Sequence, residues 1–232
     1  MPDLLSFGPG GWGDELLSGL AVTLLLAAIS FAAGSVFGLL LMLARRQGAF
    51  SRALVSAYVT TFRGVPELLV LYLFFFGTGT LVQGIAASLG YTERINLSGF
   101  ALGVLALSVI ATAYATEAFR GAANSIARGQ LEAADAFGFS ASRRFFLIEL
   151  PQLLRVALPA LGNIWLIILK DTALVSLTAV AELMRQATVA AGSTHRPFTF
   201  YAVAALIYLM VSFFSERVIQ RVETQFALKG AG

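Results

Sequence analysis

The chain has 232 residues, of which 58% are hydrophobic and only 12% are charged. Soluble globular chains carry charge on about a quarter of their residues, so this composition excludes an ordinary water-soluble domain and indicates a protein that lies largely in membrane lipid. The lack of cysteine and the single histidine exclude disulfides, thiol catalysis and a histidine-cluster metal site. The net charge of +3 is explained by membrane topology rather than by a nucleic-acid partner.

Five apolar runs follow one another along the chain, and each is close to or above the length of about 20 residues that crosses a bilayer. The first run has no charged residue, whereas the second and the fourth are interrupted by charged groups. We predict spans over residues 16–44, 54–77, 98–119, 156–181 and 198–214. The chain is therefore predicted to be an all-α membrane protein with five transmembrane helices, surrounded by membrane lipid, in a single domain over residues 1–232.

The lysine and arginine residues of the connections predict the orientation. Eleven of them follow the first, third and fifth runs, whereas the connections on the opposite side hold only three. Positively charged connections stay in the cytoplasm. We therefore expect the N-terminus outside and the C-terminus in the cytoplasm, as an odd number of spans requires.

The cytoplasmic connection over residues 121–155 is long, and its composition predicts two short helices rather than a disordered linker. Residues 127–137 are rich in alanine and other strong helix formers, and Gly138 fits the left-handed position that ends a helix. Ser140 is placed to cap a second helix, which we expect Pro151 to stop. A compact and exposed pair of helices suits docking into a groove on a partner.

The same connection contains residues at the spacing E-A-A, three residues, G, nine residues, I, one residue, L-P. They are Glu132, Ala133, Ala134, Gly138, Ile148, Leu150 and Pro151. This pattern resembles the EAA loop of ABC importer permeases at every fixed position. Four further segments resemble the polar amino-acid branch of that family, the histidine/lysine/arginine/ornithine, arginine and opine permeases: residues 63–68, 119–122, 157–163 and 169–176.

The resemblance implies a type I ABC importer permease of the MetI-like fold in the bacterial inner (cytoplasmic) membrane. It implies that residues 132–138 form the centre of a coupling helix seated in a cytoplasmic ATPase dimer. It also implies a second permease subunit, identical or homologous, a periplasmic amino-acid-binding protein, and a polar substrate that is a basic amino acid or an opine. Which substrate, and whether the permease pair is a homodimer or a heterodimer, stays open.

The sequence has no G-x-x-x-x-G-K-[S/T] phosphate loop. The chain is therefore not expected to be an enzyme or to need a cofactor of its own, and ATP and Mg²⁺ are expected on a partner ATPase. The alternatives are an ion-gradient-driven secondary transporter and a channel subunit. The ion-driven transporter would need no cytoplasmic docking loop.

Charged and polar residues within the predicted spans are candidates for the substrate path, because a charge at the bilayer centre costs about 2.5–3.5 kcal/mol on insertion scales. Glu67 is predicted either to offer its carboxylate to a cationic substrate or only to pair with Arg63, four residues earlier. Pro66 is expected to break the helix between them. For Lys170 structural pairing is favoured, with Glu117 as a possible partner. The remaining path candidates, for which structural roles such as helix packing are the alternative, are Tyr72, Asn163, Asp171, Thr172 and Ser176.

Overall fold

The computed structural model describes residues 2–8, 10–89, 97–178 and 180–228, and the regular structure in these ranges is helical. Five helical segments among them are long and apolar enough to cross a membrane: Gly13–Ala44, Glu67–Ile85, Gly99–Ser125, Ala141–Thr178 and Pro197–Gln225. The prediction of an all-α protein with five spans is confirmed. The second and fourth segments differ most from their predicted boundaries.

Helix α1 (Gly13–Ala44) packs along α5 (Gly99–Ser125), and this pair is the centre of the bundle. The two backbones lie close together because small residues face each other. A Cβ atom added at Gly34 would lie 2.3 Å from the Cβ of Ala111, and one added at Gly38 would lie 2.6 Å from the Cβ of Ala115. Small residues at such contacts are typical of helix packing in membranes.

The second predicted span is divided in two. Helix α2 (Ala49–Gly64) ends before an extended Val65, and α3 (Glu67–Tyr72) begins after Pro66. Proline disfavours the helical conformation in the residue before it and has no N–H to continue the helix. A π-turn (Leu73–Gly77) then joins α3 to α4 (Thr78–Ser88), so the spanning segment starts later than predicted.

The connection after α5 forms the two expected short helices. Helix α6 (Arg128–Ala136) is followed by Gly138 in the left-handed region, with φ of 77°. Ser140 then accepts a hydrogen bond from the backbone N–H of Arg143, at 3.4 Å, at the start of α7 (Ala141–Arg144). We call residues 128–149, from the start of α6 through the turn at Gly138 and α7 to Glu149, the α6–α7 hairpin.

The prediction that Pro151 stops the second short helix is wrong. Helix α7 continues through a π-turn (Phe145–Glu149) into α8 (Leu150–Val175). Pro151 lies in the first turn of α8, where its missing N–H costs little, and the wider turn before it shifts the hydrogen-bond register. The hairpin and the fourth span therefore share one continuous helix.

The chain ends with α9 (Leu183–Thr194) and α10 (Pro197–Leu228). Helix α9 was not predicted. The carboxylate of Glu182 caps it by accepting the backbone N–H groups of Met184 (2.9 Å) and Arg185 (2.6 Å). Helix α9 packs with α10 and the start of α1 around a second small apolar core.

The close α1–α5 contact predicts an effect on stability. Gly34→Ala forces the two helices apart, and overpacking of this kind is expected to lower the free energy of unfolding by about 1–3 kcal/mol. The measurement is thermal unfolding of the purified protein in detergent. The control is Gly121→Ala in α5, where an added Cβ meets no atom within 4 Å; an unchanged midpoint for Gly34→Ala would contradict the packing.

Candidate functional site

The α6–α7 hairpin presents a large apolar side chain at its tip. Ala134 is buried, and Leu131 packs against the main core, so one face of α6 is held against the bundle. Glu132 and Ala133 are exposed on the rest of α6. Phe137, directly before the glycine turn, is 84% exposed. The hairpin thus combines a fixed face with an unpartnered aromatic side chain.

Two ion pairs fasten the hairpin. Arg144 of α7 pairs with Asp135 of α6 and closes the hairpin across its turn. Glu149, whose side chain is only 5% exposed, contacts Arg46 at the end of α1, with 2.5 Å between Oε1 and Nη2. Sequence reasoning missed this second pair. The sequence feature that could have indicated this pair is Glu149 itself, a single carboxylate between the motif positions Ile148 and Leu150.

The other motif residues lie on the second limb. Ile148 and Leu150 are half-buried at the junction of the π-turn and α8, and Leu150 packs against the main core. Pro151 is exposed. Of the predicted coupling residues, Glu132 to Gly138 therefore lie on the first limb and its turn. Ile148 lies near the end of the second limb, and Leu150 and Pro151 follow it at the start of α8.

The break between α2 and α3 places two charged residues beside Tyr114 of α5. The Tyr114 hydroxyl donates a hydrogen bond to Oε1 of Glu67, at 3.1 Å. The Arg63 guanidinium lies over the same ring, 5.5 Å from its centroid. Within the described ranges Arg63 and Glu67 form no ion pair, because the extended Val65 and Pro66 remove the common helical face on which pairing was predicted.

A second carboxylate lies near Glu67. Asp171 of α8 interacts electrostatically with both Glu67 and Tyr114. Its Oδ2 atom is buried and has no hydrogen-bond partner among the described residues. Glu67 and Asp171 therefore form an acidic pair at the helix break, with hydrogen-bonding capacity left for a cationic group.

The suggested partner of Lys170 is not confirmed. Lys170 is exposed, and Glu117 instead pairs with Arg45 at 3.5 Å and with Arg120 at 2.5 Å. These two arginines also line a cavity of about 560 Å³ together with Arg63 and Tyr114. Sequence reasoning used Arg45 and Arg120 only for topology and missed the cavity.

The remaining predicted path residues are dispersed. Tyr72 is exposed and contacts the ring of Phe76, with 5.8 Å between centroids. Asn163 is exposed on α8, and Ser176 is buried at its end. Thr172 is buried, and its hydroxyl lies 3.3 Å from the Tyr208 hydroxyl. The structure thus brings Arg63, Glu67 and Asp171 together around Tyr114, but not these residues.

Thr172 belongs to a separate polar network around the buried Glu182. The Tyr208 hydroxyl donates to Glu182 at 3.0 Å, and the Thr23 hydroxyl donates to it at 3.3 Å. Burial raises the pKa of Glu182, while hydrogen bonds from the α9 backbone and from the two hydroxyls lower it. The network joins α1, α8, α9 and α10 and explains Thr172 as a packing residue.

Comparisons with known proteins identify the family of the chain. The sequence model of the family described as "Binding-protein-dependent transport system inner membrane component" matches residues 30–227. The octopine transport system permease protein OccQ of Agrobacterium tumefaciens (strain Ach5) is 42% identical over 223 residues, which cover 96% of this chain and 94% of OccQ. The arginine ABC transporter permease protein ArtQ of Escherichia coli (strain K12) is 43% identical over 180 residues, which cover 72% of this chain and 76% of ArtQ.

A solved structure is also similar. It is a crystal structure of an amino acid ABC transporter with histidines, and one of its chains superposes with a TM-score of 0.78 at 29% identity. The superposition covers 92% of this chain and 95% of the other. The likeness therefore extends over nearly the whole length of both chains.

The Arg46–Glu149 pair predicts an asymmetric effect of its two substitutions. Arg46→Gln leaves a buried carboxylate without its cation, and is expected to cost up to about 3 kcal/mol of stability. Glu149→Gln leaves only Arg46, which is 43% exposed and can be solvated, so its cost is expected to be smaller. Thermal unfolding and hydrogen exchange of residues 141–149 measure both. An equal effect, or a larger one for Glu149→Gln, would contradict the assigned burial.

Proposed function

Since the chain belongs to the family of binding-protein-dependent transport system inner membrane components, we propose that this ABC importer permease subunit transports a basic amino acid or an opine. Permeases for an opine and for arginine match it over most of its length. The observation that carries the substrate class is the acidic pair of Glu67 and Asp171, in which Asp171 Oδ2 lacks a partner among the described residues. Nothing favours an ion-driven carrier or a channel.

We propose that the N-terminus lies outside and the C-terminus in the cytoplasm of a bacterial inner membrane. The excess of arginine at one end supports this orientation. Arg45 and Arg46 end the first span, and Arg46 contacts the hairpin directly. The hairpin and the most basic end of the bundle therefore lie on the same side, where a cytoplasmic ATPase is accessible.

In this family a separate ATPase hydrolyses the ATP, and a substrate-binding protein supplies the permease. We propose that a cytoplasmic ATPase dimer, which holds ATP and Mg²⁺, binds the α6–α7 hairpin of this chain. A second permease subunit, identical or homologous, is proposed to complete the path between the two. A periplasmic amino-acid-binding protein is proposed to deliver substrate at the opposite face, and nucleic acid is not a partner.

The motif residues Glu132 to Gly138 are proposed to couple ATP binding to the path. Their limb ends in the exposed Phe137, and an aromatic anchor in a pocket of a partner is typical of an interface hot spot. The second limb continues without a break into α8, which holds Asp171. A shift of the hairpin between two states would therefore move one wall of the path.

The coupling proposal predicts that Phe137→Ala weakens ATPase binding. Loss of a hot-spot side chain costs about 2 kcal/mol or more, which corresponds to roughly a 30-fold loss of affinity. The measurement is ATPase affinity for the detergent-purified permease, together with ATP-driven uptake in proteoliposomes. The matched control is Phe198→Ala, because Phe198 is 87% exposed at the start of α10, far along the chain from the hairpin. Equal effects of the two substitutions would contradict the role of Phe137.

The substrate proposal predicts that Glu67→Gln selectively weakens cationic substrates. Glutamine has about the size of the glutamate side chain and can still accept the hydrogen bond from the Tyr114 hydroxyl, but it lacks the negative charge. A hydrogen bond to a charged group contributes about 1.5–3 kcal/mol, so arginine binding is expected to fall by roughly 10- to 100-fold. Citrulline, which replaces the guanidinium by a neutral urea group, is the matched ligand and is expected to be little affected. The same loss for both ligands would refute the role of Glu67.

A further inference from the structure

Tyr114 contacts side chains of opposite charge. Its hydroxyl donates a hydrogen bond to Glu67, and Asp171 interacts electrostatically with both residues. The guanidinium of Arg63 lies over the ring of Tyr114. Acidic and basic side chains therefore meet at one tyrosine, in a region formed by α2, α3, α5 and α8.

The basic side opens into the cavity of about 560 Å³, which we call the arginine cavity. Three guanidinium groups line it, from Arg45 of α1, Arg63 of α2 and Arg120 of α5. Ser56 and Thr60 add hydroxyl groups. Glu117 is the one acidic residue of the described lining, so the cavity has an excess of positive charge. Its volume lies in the range of small-molecule sites.

The three arginines of the cavity differ in whether a carboxylate pairs with their guanidinium group. Arg120 binds Glu117 through both Nε and Nη2, and Arg45 contacts the same carboxylate at 3.5 Å. For Arg63, by contrast, no carboxylate of the described residues lies within 4 Å, and its side chain is exposed. Its guanidinium therefore has its hydrogen-bonding capacity available for a ligand.

The break in the helix keeps Arg63 and Glu67 apart. In a continuous helix residues four apart share a face, and the two side chains would neutralise each other. Val65 and Pro66 are extended instead, and Arg63 and Glu67 each contact Tyr114 without pairing with each other. Keeping two opposite charges unpaired in a membrane protein is costly unless a ligand uses them.

We propose that the arginine cavity is a carboxylate-binding subsite, in which Arg63 binds the carboxylate of the substrate while Glu67 and Asp171 hold its cationic end. The subsite rests on the proposed function, because it assumes that a basic amino acid or a related zwitterion enters this path. Guanidinium groups bind carboxylates in a bidentate manner. The substrate class thereby narrows to molecules with a carboxylate and a cation at opposite ends.

The test compares L-arginine with agmatine, which has the same guanidinium group but no carboxylate. Binding of each labelled ligand is measured on the detergent-purified permease–ATPase complex without the binding protein. Wild type is expected to bind L-arginine at least tenfold more tightly than agmatine. Arg63→Gln is expected to lower the affinity for L-arginine about tenfold and to change the affinity for agmatine less than twofold. Glu67→Gln is expected to lower both affinities.

The matched control is Arg52→Gln, because Arg52 is also an exposed arginine of α2 but does not line the arginine cavity. It is expected to leave both affinities unchanged. If the Arg63→Gln permease does not assemble with the ATPase, Arg63→Lys is the second variant. Lysine keeps the positive charge but lacks the planar guanidinium group, so the affinity for L-arginine alone is expected to fall, by a few-fold.

Equal affinity of wild type for the two ligands would overturn the subsite without any variant. The subsite would also be overturned if Arg63→Gln lowered the affinities for both ligands equally, or if it changed neither affinity. These outcomes leave the proposed function intact, since ATP-driven uptake and the Glu67→Gln effect do not depend on them. Failure of wild type to bind any basic amino acid or opine would overturn the proposed substrate class and the subsite together.

Discussion

The helix from Ala141 to Thr178 runs from the α6–α7 hairpin into the bundle without interruption, and the arrangement of the molecule depends on that continuity. Its 38 residues correspond to about 57 Å at 1.5 Å per residue. One end is the second limb of the hairpin, and the other end holds Asp171 and Thr172. A continuous helix transmits displacement better than a flexible connection would, although Pro159 inside it removes one helical hydrogen bond. The π-turn before Pro151 makes the continuity possible.

The hairpin is also fastened to the rest of the bundle away from this helix. Arg46 at the end of α1 reaches the buried Glu149, and Ala134 and Leu131 hold α6 against the core. Helix α1 in turn packs closely on α5 through Gly34 and its neighbours. In the proposed coupling, a force on the exposed tip at Phe137 would therefore reach α1 and α8 together. This explains why the exposed tip and the fixed face occur on the same short helix.

Local signals in the sequence predicted the five spans, the left-handed Gly138, the cap at Ser140 and the interruption at Pro66. Each span depends on one apolar run, and each of the other features depends on residues within one turn of it. The errors have a different origin. Pro151 was expected to end a helix, but the wider preceding turn tolerates it. The Arg63–Glu67 pair assumed a helical face that Val65 does not maintain.

The remaining gaps concern contacts between residues far apart in sequence. Arg46 and Glu149, or Arg45 and Glu117, meet only after the helices pack, and nothing in a single sequence places them together. Glu182 and its hydroxyl partners on α1 and α10 belong to the same class. The arginine cavity was missed for this reason, since its three guanidinium groups come from three different parts of the chain. Arg45 and Arg120 were each explained by topology alone.

In the proposed function, the positions of Arg45 and Arg46 connect the hairpin that binds the ATPase to the proposed substrate site. These adjacent residues at the end of α1 serve different regions, since Arg45 lines the arginine cavity and Arg46 binds the hairpin through Glu149. Any movement of the hairpin that carries the end of α1 with it must therefore also move a wall of the cavity. Because Glu117 and Arg120 of α5 share the charge network of Arg45, the displacement changes the field that Arg63 and a bound carboxylate experience. Coupling between the ATPase and the path then needs no long relay, since one helix end belongs to both.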